Sequence, residues 1–257
     1  KYYERLAYHL DLPTLYQNSK EARLRFVEGA SLRFDTFPDY LGYEIIPVIW
    51  DCWPRYVENM AKWFHKHKVQ TAFFTSSQTA ERMRSLCPNV NINHLPEAIE
   101  TELYHAGKPL SERSIDYLEF GRCSRILDST QFDKSINVLS SRNERTGLKT
   151  RAQLADALAD SKITLALTRL DNQPELAEGV DTLTQRYWEC MLSGVVILGR
   201  APQELIDIIG YDPVVHLDKD NANDQILGIL EHIEDYQELV DRNRQRALEH
   251  GDWKVRI

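Results

Sequence analysis

The chain has 257 residues, with 31 Lys and Arg against 39 Asp and Glu and a formal charge of -8. That balance excludes a nucleic-acid reader built on a broad basic face. The length suits one large core or two modest ones, since domains run to roughly 100 to 200 residues. The four cysteines, Cys52, Cys87, Cys123 and Cys190, lack CxxC spacing. This argues against a zinc site or a disulfide framework and for reduced, buried thiols in a cytosolic protein. No apolar run approaches the roughly 18 residues that span a bilayer, and no signal peptide is visible. The chain begins at Lys1 rather than Met, so an N-terminal piece is expected to be missing.

Residues 1–10 and 15–27 read as helices, the second carrying Lys20, Arg23 and Arg25 on a solvated face. YEIIPVIW (43–50) reads as a strand and PRYVENMAKWFHKHK as a helix with Pro54 in its first turn. VQTAFFT is the next strand, SQTAERMRSLC a helix that Ser76 or Ser77 can cap, and VNINHL a strand closed by Pro96. Such a βαβαβ run predicts a doubly wound parallel sheet, with functional groups on loops beyond the strands' carboxyl ends. The polar stretch HAGKPLSERS (105–114) sets a domain boundary, giving domains 1–108 and 109–257. Alternation then resumes: strand IDYLEF, helix RAQLADALAD, strand ITLALT, a further helix, strand VVIL, helix PQELIDII, strand PVVHL and a helical C-terminus.

The segment DTLTQRYWECMLSGVVILGR (181–200) carries the most information. Thr182 and Gln185 stand at capping-box spacing, which starts a helix at about residue 183. Leu183, Tyr187, Trp188, Met191 and Leu192 make its apolar face, and Gly194 suits a left-handed end. VVIL, apolar without alternation, suits a strand covered on both faces. Three loops, GRCSR, RLDNQPELAEGVDT and GRAP, reach the carboxyl ends of this second sheet. The helix's first amides and its dipole suit a phosphate, with Thr182 and Thr184 as hydroxyl donors. On a helix from 181, Asp181, Thr182 and Glu189 share one face, with Glu189 about 10 Å along the axis, the reach from phosphate to ribose. A carboxylate there can accept two ribose hydroxyls while Arg122, after IDYLEF, neutralises a diphosphate.

At the end of EIIPVIW, Asp51 and Trp53 can contact an acceptor sugar, or stand as a turn Asp beside a packed Trp. By pattern alone Glu189 also reads as an exposed helix carboxylate, Arg122 as a surface ion pair and Asp181 as a helix-dipole acid. DKD at 218–220 sits in a polar turn and reads as that, not as a metal site. TGLKT (146–150) lacks the glycines of a phosphate-binding P-loop, and neither GxGxxG nor GxSxG occurs.

The block DTLTQRYWECMLSGVVILG followed by APQELIDIIGYDPVVHLD resembles the donor-binding segment of bacterial group 1 glycosyltransferases with the GT-B fold, the assemblage that includes family 4. The signature is an acidic residue, seven intervening residues, Glu, and a small-residue Gly turn before a strand. Asp181, Glu189, Ser193 and Gly194 match it. IDYLEFGR resembles the family's strand ending in Gly-Arg, and NRQRALEHGDW its end helix with Trp. The resemblance spans residues 113–253 and is weaker before them.

The resemblance implies an α/β, GT-B fold of two Rossmann-like doubly wound domains facing a central cleft. Residues 1–108 would be the acceptor side, truncated, and 109–257 the nucleotide-sugar side. It implies transfer of a sugar from a nucleotide-diphosphate sugar to a hydroxyl of a glycan or lipid-linked glycan in polysaccharide biosynthesis, retaining and with no metal or other cofactor. Glu189 would hold the ribose, and Asp181 would face the donor sugar. Arg122, Thr182, Thr184 and Gln185 would bind the donor around its diphosphate. The implied location is cytoplasmic, with weak association at the inner membrane face through the basic N-terminal helices. Two departures stand out: Asp at the first acidic position, and no Lys within a few residues of the Gly-Arg pair. A non-catalytic nucleotide or sugar-binding module and a nucleotide-sugar epimerase are the alternatives on the same scaffold.

Overall fold

The computed structural model describes residues 21–121, 126–141 and 148–256. They fall into two units, one comprising 21–96 with Pro174–Thr182, the other Glu97–Gln173 with the chain from Leu183 onward. The first crossing lies ahead of the boundary expected after residue 108. Residues 97–99 are held in the second unit because the Trp188 indole N–H donates to the Glu97 carbonyl (2.8 Å) and Ile99 bridges Asp252. Among the described residues no helix is long and apolar enough to cross a membrane.

The first unit is a four-stranded parallel sheet in the order β1 (Ala22–Glu28), β2 (Glu44–Trp50), β3 (Thr71–Phe74), β4 (Asn91–His94). Helix α1 (Pro54–His67) starts at its proline and ends at Lys68, which takes the left-handed conformation. Helix α2 (Ser77–Leu86) is capped by the Ser76 hydroxyl, which accepts from the Thr79 N–H. Val27, Ile45, Ile49, Ala72, Phe74 and Ile92 pack with Val57, Met60, Phe64 and Met83 of these helices in one core.

Strand β1 corrects the helix expected over 15–27: residues 22–28 are an edge strand, and 15–20 lie outside the described residues. ARLRFVE alternates with period two, so Leu24 and Phe26 point to one side and Arg23, Arg25 and Val27 to the other. The two arginines are not simply solvated. Arg25 pairs with Asp39, and the Arg23 guanidinium lies 4.3 Å from the Tyr43 ring centroid.

The second unit is a five-stranded parallel sheet, in the order β6-β5-β7-β8-β9: β5 (Ile115–Glu119), β6 (Val138–Ser140), β7 (Ser161–Ala166), β8 (Val196–Gly199) and β9 (Val215–His216). Its helices are α3 (Arg151–Ala159), α4 (Gln185–Ser193), α5 (Gln203–Ile209), α6 (Ala222–Glu231) and α7 (Gln237–His250). The sheet is covered on both faces, as VVIL predicts. Leu118 and Ile197 pack with Leu158, Tyr187, Met191 and Leu205 on one side, while Tyr117, Leu165 and Leu198 pack with Ile226 and Ile229 on the other. Gly194 ends α4 at φ 64. Beside it, at the amino ends of the strands, buried Arg113 donates to the carbonyls of Lys108 (2.9 Å) and Ser161 (2.8 Å), and burial pulls its pKa down to about 10.

Candidate functional site

From β5 the chain crosses to β6 on one side and then to β7 on the other. Open α/β sheets bind ligands outside the carboxyl ends of the strands at such a reversal. At this point β5 runs into Phe120 and Gly121, the latter at φ +70. Arg122 and the rest of GRCSR lie outside the described residues. Just inside the end of β5, the buried Glu119 carboxylate accepts from the hydroxyls of Ser129 (2.9 Å) and Ser140 (2.7 Å). It thereby ties the loop after β5 to the short strand β6, which sequence reasoning missed.

Helix α4 begins two residues later than expected. Its N-cap is Thr184, with no side-chain cap, and the Thr182–Gln185 capping box is not formed. Acceptors distant in sequence take these amides instead: Gln78 Oε1 for Asp181 (2.7 Å), Glu204 Oε2 for Leu183 (3.0 Å) and Glu97 Oε2 for Gln185 (3.1 Å). With its donors satisfied in this way, the chain from 181 to 184 has no helical repeat. The single helix face expected to carry Asp181, Thr182 and Glu189 therefore does not exist. Asp181 and Thr182 belong to the first unit, Thr184, Gln185 and Glu189 to the second.

On α4, Tyr187, Trp188, Cys190, Met191, Leu192 and Ser193 are buried, while Gln185, Arg186 and Glu189 are half-exposed and form its open stripe. Glu189 accepts through Oε1 from the Tyr104 hydroxyl at 2.7 Å. Burial, then the Glu189 charge and this hydrogen bond, push the Tyr104 pKa well above its ordinary value. The phenol thus remains a donor that holds the carboxylate in place. Arg186 lays its guanidinium 4.8 Å from the Phe120 ring centroid and against Gly121, where a Cβ would collide with Nη2.

The next two loops are joined by Arg200, which follows β8. Its guanidinium donates to both carboxylate oxygens of Asp171 (2.9 and 2.8 Å) and to the Thr168 hydroxyl oxygen (3.0 Å). Thr168 and Asp171 form a capping box, a spacing legible in TRLD but read only as loop. Burial raises the Asp171 pKa, but hydrogen bonds and charge from Arg200, with Thr168, outweigh it and hold the carboxyl below its ordinary 3.8. A carboxyl depressed on folding contributes stability that is full above 3.8 and lost as pH falls through the folded value. Asp171→Asn is therefore expected to lower stability at pH 7 and to flatten the acid limb of a urea-midpoint against pH curve. An unchanged acid limb would show that the pair contributes nothing.

In the first unit, β2 is followed by Asp51 in the left-handed region (φ 47), a conformation that Asp tolerates better than most side chains. Cys52 and Trp53 are both 5% exposed. Asp51, Cys52, Trp53, Ser76, Thr79, Val180 and Thr182 line a small cavity of about 10 Å³, about the room one water needs. The Thr79 hydroxyl donates to the Cys52 carbonyl (3.0 Å), and burial pushes the Cys52 thiol up to about 12. Arg55 pairs with Glu178 (2.6 Å) and donates to the Glu175 carbonyl (2.8 Å), holding 174–182 in this unit. Trp53 thus lines an enclosed space, whereas the exposed indole at the end of β2 is Trp50, 40% exposed and 6.5 Å from Phe26 between ring centroids.

Near the end of the chain, Asp218 Oδ1 accepts from the N–H groups of Asp220 (3.1 Å) and Asn221 (3.3 Å), the turn read from DKD. Among the described residues no group of three or more His, Cys, Asp or Glu is placed to hold a metal ion.

The profile of a family described as glycosyl transferase-like matches residues 123–257, more than half of the chain and most of the second unit. The chain belongs to the glycosyl transferase-like family. Two solved structures share its fold: sucrose-phosphate synthase from Thermosynechococcus elongatus (TM-score 0.61, 10% identity, 90% of this chain and 70% of that one) and TarM (TM-score 0.55, 10% identity, 90% of this chain and 52% of that one). This glycosyl transferase-like chain spans about half the length of TarM. No curated protein matches its sequence. At such identity the likeness shows the fold, α/β with parallel sheets of the GT-B type. Family membership rests on the profile, which covers Thr184, Gln185, Arg186 and Glu189 but stops short of Asp51 and Trp53.

Proposed function

We propose that the chain is a glycosyltransferase that moves a sugar from a nucleotide-diphosphate sugar to an acceptor hydroxyl of a glycan or lipid-linked glycan. The observation that carries this reading is Glu189. Within the span matched by the family, its carboxylate lies on the open stripe of α4 and is oriented by Tyr104. A carboxylate oriented in this way suits a ribose diol, which offers two donors. Thr184, Gln185 and Arg122 are assigned to the diphosphate side of the same ligand, and Asp181 to the sugar side, with Thr182 beside it. Asp51 is assigned to the acceptor, with Trp53 supporting it from the cavity wall. Rate enhancement would come from stabilising charge on the departing diphosphate and from positioning both substrates, without a step that calls for a metal.

Calorimetry with UDP, GDP, ADP and CMP and their common sugar conjugates tests the donor site. One diphosphate is expected to bind selectively, and Glu189→Gln to weaken it about 10-fold to 100-fold, since hydrogen bonds to a charged group contribute about 1.5–3 kcal/mol. Gln keeps an acceptor for Tyr104, so the loss reports the ligand rather than an orphaned phenol. No binding by any nucleotide, or equal binding by the variant, would overturn the assignment. Release of nucleotide only when an acceptor is supplied would separate a transferase from a non-catalytic module.

A further inference from the structure

We propose that Asp252 is a positioning residue of the donor site, acting through Thr101 and Tyr104 on the Glu189 carboxylate; the proposal rests on the donor reading above. Glu189 stands on the open stripe of α4, but the phenol that orients it arrives from elsewhere in the second unit. Tyr104 is 6% exposed, belongs to the core that packs α4, and reaches Glu189 Oε1 at 2.7 Å. A donor can hold a carboxylate in one orientation only if its own backbone is fixed, because a hydrogen bond weakens steeply when misaligned.

That backbone has little regular structure of its own. Tyr104 follows a single 3-10 turn, Thr101–Leu103, and its N–H donates to the Thr101 carbonyl (3.1 Å). Glu100, at the start of the turn, makes no side-chain cap. Asp252, 151 residues along the chain, caps it instead: its Oδ2 accepts from the Thr101 hydroxyl (2.6 Å) and from the Thr101 N–H (3.3 Å). Its Oδ1 accepts from the Lys254 N–H (2.7 Å) and so caps the turn Trp253–Val255 as well. One carboxylate thereby fastens two turns. Hydrogen bonds from Thr101 and from the Lys254 N–H keep its carboxyl below the ordinary 3.8, so it remains an anion at neutral pH.

The contacts around this link run in the same direction. The Ile99 N–H donates to the Gly251 carbonyl (2.8 Å), and Ile99 pairs with Asp252 in a parallel bridge, which lays residues 99–104 along the chain that leaves α7. Lys254 also pairs with Glu102 (2.7 Å), but both side chains are largely exposed and such pairs contribute little. Asp252, which takes both the hydroxyl and the N–H of Thr101, is the stronger fastening. Each step from it to Glu189 is a direct hydrogen bond: Asp252 to Thr101, the Thr101 carbonyl to the Tyr104 N–H, and the Tyr104 hydroxyl to Glu189. Members of one such network couple energetically, and the coupling is read from non-additive variants rather than from adjacency.

The test is a double-mutant cycle read by calorimetry, with UDP, GDP and ADP and the matching nucleosides as ligands. Asp252→Ala and Tyr104→Phe are each expected to weaken binding about 3-fold to 30-fold, within the range for members of one hydrogen-bond network. Nucleoside and diphosphate should lose equally, because the series ends on the carboxylate assigned to the ribose. Asp252→Ala added to Tyr104→Phe should cost less than about 2-fold more, since the link is already cut. Asp252→Asn keeps one acceptor oxygen and should recover part of the loss. Thr101→Val removes the hydroxyl but leaves Asp252 capping Lys254; it should weaken binding in the same way at a native urea midpoint, and it carries the test if Asp252→Ala does not fold. If the native chain binds a diphosphate and Asp252→Ala or Thr101→Val, folded, binds it equally well, or if the losses multiply in the double variant, Asp252 does not position Glu189 although the donor site stands. If the native chain binds none of the diphosphates, the donor reading itself fails and takes this one with it.

Discussion

Gly199→Ala is expected to lower the stability of the second unit by about 2–6 kcal/mol, the combined cost of overpacking and a strained φ. Gly199 ends β8 at φ +147, opposite Ala166 of β7 in the ladder. A Cβ there would collide with the Ala166 carbonyl oxygen, which also accepts from the Arg200 N–H at 3.3 Å. Neither side can yield cheaply: all four residues of β8 are buried, and the strand is paired on both sides. Because domains are stable by only about 5–15 kcal/mol, the urea midpoint should fall steeply. The exit of Arg200 toward Asp171 should be disturbed with it. A midpoint within error of the native chain would show that the two strands separate more easily than their burial implies.

Trp188→Ala should be comparably severe, about 3–5 kcal/mol, the range for deleting a buried Trp. The ring is fully buried, its N–H donates to the Glu97 carbonyl, and Gly251 packs against it so closely that a Cβ would lie 3.1 Å from Cε3. Removing it opens a cavity and leaves the Glu97 carbonyl without that donor, a further cost in a buried setting. Trp188→Phe refills most of the volume and should recover the greater part of the midpoint but not all of it. Equal midpoints for the Ala and Phe variants would mean that the hydrogen bond, not the packing, carries the residue's contribution. Since Trp188 anchors Glu97, whose carboxylate caps Gln185, both variants should also make the start of α4 exchange its amides faster.

The elements that were legible in the sequence announce themselves through neighbours. Pro54 opens α1, Ser76 caps α2, Gly194 closes α4, and VVIL is apolar without alternation because both faces are covered. The errors share a cause as well. ARLRFVE was read through its charges, yet its alternation placed Arg23 and Arg25 on one side of an edge strand, where Tyr43 and Asp39 receive them. Strand β6, three half-buried residues long, has too little pattern to stand out. The start of α4 was misread because a Thr-x-x-Gln spacing competes with acceptors that local sequence does not display.

By itself the sequence determined the alternation of strands and helices, the apolar face of α4 and the presence of Glu189 on that helix, because each depends on residues within a turn or a strand of one another. Only the tertiary structure decided the rest. The strand order that sets the reversal between β5 and β7 depends on which edges meet, not on any one segment. The partners that fix the site lie far along the chain: Tyr104 is 85 residues from Glu189, Glu97 is 88 from Gln185, and Gln78 is 103 from Asp181. Asp181 and Glu189, neighbours in the motif, consequently join different units. Local pattern encodes propensity and burial, but a buried amide takes whichever acceptor the assembled fold brings to it.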